Sequence, residues 1–136
     1  MKNFSTKTKQ VLIVRKDLNM RKGKIAAQAA HASLMIFSQN AVISGSESPQ
    51  AMFQCFLSPA AVKWFADSFA KICVYVNSEE ELEAVYRQAM EAGLPAALCV
   101  DNGLTEFGGV ATKTVVAIGP DYSEKIDKIT GELPLF

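Results

Sequence analysis

Apolar residues in this chain fall into short blocks separated by polar, glycine- or proline-bearing stretches. Val11-Leu-Ile-Val14 is a β-branched run of strand length and predicts a buried strand. A basic turn, Lys16 to Gly23, follows it. From Lys24 to Gln39 the chain is alanine-rich and free of Pro and Gly, which predicts a helix. Residues 40–50 carry Asn40, Gly45, Pro49 and several serines, and predict a loop. A second helix is predicted over Pro59–Ala70, with Ser58 as N-cap and Pro59 in its first turn.

The remaining blocks repeat the alternation. Lys71-Ile-Cys-Val-Tyr-Val76 predicts a second strand. Ser78-Glu-Glu-Glu81 is a capping box opening a helix that ends at Gly93. Ala96–Val100 and Thr114–Ile118 predict the third and fourth strands, with Gly119-Pro120 expected to stop the last. Ser123–Thr130 predicts a short helix ended by Gly131. Strands alternating with helices imply an α/β fold, a three-layer α/β/α arrangement. No helix separates the last two strands, so the four-stranded sheet is expected to be mixed. A chain of 136 residues suits one domain, residues 1–136, with residues 1–8 as a flexible tail.

Composition narrows the class. Apolar residues make up 49% of the chain, enough to bury a core without metal or disulfide support. No apolar run approaches the ~20 residues of a membrane helix, and Met1 to Gln10 lacks the apolar stretch of a signal peptide. The expectation is a cytoplasmic protein with no membrane partner. Cys55, Cys73 and Cys99 form no C-x-x-C motif, and the last two lie in apolar runs as buried, inert thiols.

Net charge is zero, but its distribution is uneven. Residues 1–24 hold eight Lys or Arg against one acid, while the rest of the chain holds six bases and thirteen acids. Such asymmetry can place a basic patch on a neutral protein, as a polyanion partner requires; a solvated tail accounts equally for Lys2, Lys7 and Lys9. Arg21, Lys22 and Lys24 are different. They crowd a helix start, where the dipole favours anions and each cation costs a few tenths of a kcal/mol. A phosphate is the natural partner there. Glu79, Glu80 and Glu81, by contrast, sit where the dipole wants them and are structural.

Ligands of open α/β sheets bind at the carboxyl ends of strands. Two segments qualify, Lys16–Lys24 and Asp101–Thr112. At ~100° per residue, Lys24, Gln28 and His31 lie at about 0°, 40° and −20° on their helix and share a face. His31 is the sole histidine, and a packed or capped role competes with a functional one. The surrounding alanines allow close approach of either the sheet or a ligand. Asp101, before Asn102-Gly103, is either a turn aspartate or a base that orients water; spacing leaves both open. No G-x-S-x-G elbow and no metal-spaced cluster of His, Cys and Asp is present, which favours water as a nucleophile.

Several separated segments resemble one family. Val11-Leu-Ile-Val-Arg-Lys-Asp-Leu-Asn-Met-Arg-Lys-Gly-Lys-Ile-Ala-Ala-Gln-Ala-Ala-His-Ala32 resembles the opening strand, loop and helix of the archaeal and eukaryotic (type 2) peptidyl-tRNA hydrolases. Gly93-Leu-Pro-Ala-Ala-Leu98 with Asp101-Asn-Gly-Leu-Thr-Glu-Phe107 resembles their second signature. Thr114 to Pro120 and Ile126 to Leu133 resemble their closing strand and helix. The resemblance implies metal- and cofactor-independent hydrolysis of peptidyl-tRNA, releasing tRNA, on a mixed four-stranded sheet that is often dimeric. The family's functional residues fall on Lys24, Asp101, Thr105 and Thr114, while Gln28 and His31 match motif positions. In this chain Asn102 replaces the usual Ala, and Gly108–Lys113 is one residue longer without the usual Pro-Gly, which leaves Thr112 competing with Thr114. The segment 41–59 is also longer than usual: a lid, a tRNA contact or an insertion.

The resulting expectation assigns Asp101 to the water, Lys24 to the oxyanion or terminal phosphate, Thr105 and Thr114 to the ribose or water, and Arg21 and Lys22 to acceptor-stem phosphates, with peptidyl-tRNA and not DNA as partner. The competing readings are a non-catalytic tRNA- or RNA-binding module, which would not need Asp101 and Thr105, and a protein-interaction domain or hydrolase of another small ester.

Overall fold

The computed structural model describes residues 7–104 and 106–136. Strand β1, Thr8–Arg15, is followed by a short 3-10 turn at Lys16–Leu18 and by helix α1, Lys22–Ser38. Two short strands, β2 (Val42–Ser44) and β3 (Met52–Gln54), precede helix α2 at Pro59–Ala66. Strand β4 (Lys71–Val76), helix α3 (Glu79–Glu91), strands β5 (Ala96–Asp101) and β6 (Thr112–Tyr122) and helix α4 (Ser123–Thr130) complete the order.

The main sheet runs β4-β1-β6-β5, with β1 parallel to β4 and antiparallel to β6, and β5 antiparallel to β6. It is therefore mixed, as the missing helix between the last two strands predicted. Alternation along β1 divides the core. Val11 and Ile13 join Leu82, Val85, Ala89 of α3 and Ile126 of α4 on one face. Leu12 and Val14 join Ala32 and Ile36 of α1 on the other. Helices on both faces explain why the Val11–Val14 stretch of β1 is apolar without interruption.

Polar groups in this core are paired. Buried Gln10 donates through Nε2 to the Gly119 carbonyl (3.1 Å) and accepts from the Ser33 hydroxyl, tying α1 to the centre of the sheet. Trp64 of α2 is fully buried, and its Nε1 donates to the Ala70 carbonyl (2.8 Å).

Several boundaries depart from the sequence pattern. Helix α1, expected over Lys24–Gln39, takes in Lys22 and Gly23 and ends at Ser38. The loop expected over residues 40–50 is part of a hairpin in which β2 and β3 pair antiparallel. All six of their residues are exposed, so no alternation marks them. Helix α2 stops at Ala66 instead of reaching Ala70, because Phe69 adopts a left-handed conformation (φ 52°) and donates its N–H to the Trp64 carbonyl (2.8 Å). Strand β6 continues through Gly119-Pro120 to Tyr122, where a register shift opposite Lys9 and Val11 relieves proline of the ladder bond it cannot make. The expected tail, residues 1–8, falls on residues outside the described ones up to position 6, and Thr8 already belongs to β1 and is buried.

Because β1 and β5 are parallel to each other across antiparallel β6, their carboxyl ends lie at the same end of the sheet. The start of α1 returns to that end directly from β1.

Candidate active site

The carboxylate of Asp101 closes strand β5 at that end. Lys24 in the first turn of α1 donates to its Oδ1 (2.9 Å), and Gln28 one turn later donates to the same oxygen through Nε2 (3.2 Å). The i,i+4 spacing puts both side chains on the face turned to the sheet. The N–H of Gly103 binds the other oxygen, Oδ2 (2.9 Å). Both oxygens are thus engaged, yet Oδ2 keeps a lone pair free of these contacts. The side chains of Lys24 and Asp101 are only 14% and 11% exposed, so their pairing is shielded from solvent without being sealed from it.

Behind this pair the amide of Gln28, nearly fully buried, is fixed in orientation. Its Oε1 faces two donors, the Thr114 hydroxyl (2.6 Å) and the Cys99 thiol (3.3 Å). With donors on the oxygen side, the NH2 group must face the Asp101 carboxylate. Thr114 is completely buried on β6 and also lies 3.4 Å from the Cys99 carbonyl. Its hydroxyl is committed to Gln28, whereas the sequence reading placed it on the ribose or water. Thr112 is half-buried and donates to the Val110 carbonyl (2.8 Å). Thr114, and not Thr112, therefore stands in the network.

The hydrogen bond from Lys24, with help from those of Gly103 and Gln28, holds the Asp101 carboxyl below the usual carboxylate range against the opposing effect of burial. Burial pushes the Cys99 thiol up, and Cys73 likewise, in keeping with inert sulfhydryls.

The other expected residues lie at varying distances from this centre. Arg21 is the N-cap of α1, with no side-chain cap, and its side chain is 90% exposed, 3.9 Å from Glu106. Lys22 is exposed beside it. The basic helix start thus faces solvent at the mouth of the site. Much of the remaining N-terminal charge is absorbed: Lys9 pairs with Asp127, Arg15 with Asp17, and Lys16 lies 4.4 Å over the Tyr75 ring. His31 does not join Lys24 and Gln28. It is exposed and stands alongside β5, not beyond its end, because three residues carry α1 about 4.5 Å past Gln28. Thr105 lies outside the described residues. Among those described, no three of His, Cys, Asp and Glu come together as metal ligands, and no helix is long and apolar enough to cross a membrane.

The turn-aspartate reading of Asp101 finds its partner in Gly103, whose N–H is the Asx-type donor. Two further participants, Cys99 and Phe107, were not anticipated. Cys99 alternates with Val100 on the inner side of β5, but nothing in its apolar surroundings marks it as a donor. Phe107, whose ring lies 5.8 Å from Lys24 Nζ, is visible only in the fold.

Comparison with known proteins bears on this constellation. A family model described as peptidyl-tRNA hydrolase PTH2 matches residues 8–136. A protein named peptidyl-tRNA hydrolase from Methanothermobacter thermautotrophicus is 44% identical over 127 residues, 93% of this chain and 98% of that protein. Proteins of the same name from Aeropyrum pernix (41%, covering 94% of this chain and 95% of that protein) and Staphylothermus marinus (41%, covering 96% and 97%) are similarly related.

Proposed function

As the chain belongs to the peptidyl-tRNA hydrolase PTH2 family, we propose that it hydrolyses the ester between the peptide and the 3′ end of tRNA at the Lys24–Asp101–Gln28 cluster, with water as nucleophile. The observation that carries this reading is a single carboxylate at a strand's carboxyl end, held ionised by Lys24 and aimed by Gln28 and Gly103.

The steps follow from that arrangement. Water binds the remaining lone pair of Asp101 Oδ2 and attacks the ester carbonyl. The new C–O bond forms as charge gathers on the carbonyl oxygen, which the Lys24 ammonium stabilises. Collapse breaks the bond to the ribose 3′ oxygen, and a proton originating from the water is delivered to that oxygen, so the products are a peptide carboxylate, a free 3′-OH and a proton released to solvent. A carboxylate held below its usual range is a weak base. Asp101 therefore chiefly orients the water and stabilises the positive charge it develops. Thr114 acts through Gln28 as a positioning residue. Arg21 and Lys22 bind acceptor-stem phosphates, and Thr105 and His31 remain candidates for contacts to the substrate. No metal or cofactor is required, and the substrate places the enzyme in translation in the cytoplasm.

A homodimer fits the apolar surface of residues 42–57, where Ile43, Phe53 and Phe56 are exposed. A single monomer mass in sedimentation at micromolar protein would exclude it.

The test of the activity is release of free tRNA from purified peptidyl-tRNA with excess chelator present. Multiple turnovers are expected. A folded protein that binds tRNA in a salt-sensitive manner but releases none would instead be a binding module.

A further inference from the structure

Strand β5 ends at Asp101 but has a second feature, an open edge. Among the described residues it is the last strand of the sheet and pairs with β6 alone. The Cys99 carbonyl turns inward toward Thr114 on β6. By the alternation of an antiparallel ladder, the main-chain N–H and C=O of Leu98 turn outward. Ala96 shares that outward side, and its carbonyl is taken by Gln39 Nε2 (3.0 Å) from the end of α1. Gln39 thus closes the far end of the edge, and Asp101 marks the near end.

Along this edge runs a groove of about 570 Å³ between α1 and β5. Ala30, His31, Leu34 and Met35 form one wall, and Leu98 and Val100 the other. Leu34 and Val100 leave more than half their surface open. Among its lining residues, His31 is the sole titratable side chain apart from the thiol of Cys99. The groove is continuous with the candidate active site, because Cys99 binds Gln28 and Val100 directly precedes Asp101.

We infer that this groove holds the peptide moiety of the substrate, which adds to the edge of β5 as a short parallel strand. This rests on the peptidyl-tRNA reading above. The direction follows from chemistry. The scissile carbonyl is the C-terminal carbon of the peptide and must lie at Asp101, so the preceding residues run back toward Ala96. From Ala96 to Asp101 is about 16 Å at ~3.3 Å per residue, room for about four peptide residues before Gln39 blocks the way. Recognition through main-chain hydrogen bonds and a mainly apolar wall, without Asp, Glu, Lys or Arg among its lining residues, admits varied peptide sequences, as release of peptides of arbitrary sequence demands.

The test compares hydrolysis of N-acetylaminoacyl-tRNA with N-acetylated tetrapeptidyl- and octapeptidyl-tRNA on one tRNA. The expected kcat/KM is about tenfold higher for the tetrapeptide, the size of a pair of main-chain bonds, with no further gain for eight residues. N-methylation of the peptide amides one at a time should remove the gain at alternate positions. Ala30→Trp, which fills the groove from an exposed helix position, should bring the ratio toward one. Equal rates for short and long substrates, with hydrolysis proceeding, would overturn the groove while leaving the activity standing. Failure to hydrolyse any of the three would overturn the peptidyl-tRNA reading beneath it.

Discussion

The carboxylate of Asp101 is informative because its partners fix both its charge and its aim. Lys24, Gln28 and Gly103 all donate to it, so its pKa lies below the ordinary carboxylate value. A group with a lowered folded pKa contributes stability above its unfolded pKa of ~3.9 and loses that contribution as pH falls through the folded value. The acid limb of the rate should therefore lie below the usual carboxylate range, and Lys24→Met should move it upward. A wild-type acid limb near pH 6 would mean that another group controls turnover. Gly103 sets a second test. Its φ is +82°, and a Cβ there would lie 2.2 Å from the Val110 carbonyl oxygen. Gly103→Ala should displace the N–H that binds Oδ2 and lower kcat by about tenfold or more, with the far-ultraviolet spectrum of the fold retained; full activity would show that this bond does not matter. In the sequence a basic helix start marks Lys24, its helix face takes in Gln28 together with His31, and Asp101 stands out as a strand-end acid whose role the spacing leaves open. The sequence could not show that Thr114 serves Gln28, since that depends on β6 crossing under α1.

Short elements closed by sharp boundary signals were legible. Strand β4 and helix α4 occupy the residues predicted, because both are bounded by sharp capping or turn signals. Ser58 caps α2 as expected, accepting from Ala61 N–H (3.1 Å). Ser58→Ala should cost about 1 kcal/mol of unfolding free energy in denaturant titration; an unchanged midpoint would remove the cap from the account. The end of α2 was not legible, since nothing in Asp67-Ser68-Phe69 marks a left-handed phenylalanine. The hairpin β2–β3 was hidden for a different reason: three-residue strands exposed on both sides show no period. Phe53 of β3 lines one cavity with Phe37, Trp64, Phe65 and Phe69, an aromatic group whose neighbouring ring centroids lie 4.7–6.2 Å apart. Replacing Trp64 by Ala should cost about 3–5 kcal/mol, read in the same titration.

At the scale of the whole molecule, charge is sorted by position more than by amount. A neutral chain places Arg21 and Lys22 at the exposed mouth of the site, while Lys9, Arg15 and Lys16 are occupied within the fold. Replacing Arg21 and Lys22 together by Ala should raise KM for peptidyl-tRNA and reduce the slope of log binding against log salt by about one to two, with kcat little changed. A fall in kcat at constant KM would move these residues from phosphate binding into the chemistry. The arrangement follows from β1 and β5 running parallel to each other on either side of β6, which brings their carboxyl ends to one end of the sheet beneath the start of α1.

The most direct measurement is single-turnover hydrolysis of peptidyl-tRNA by Asp101→Asn beside its affinity for the same tRNA. Loss of at least about a hundredfold in rate, with affinity within about twofold, is expected if the carboxylate orients the attacking water. A variant that binds tRNA and hydrolyses at the wild-type rate would contradict the account at its centre.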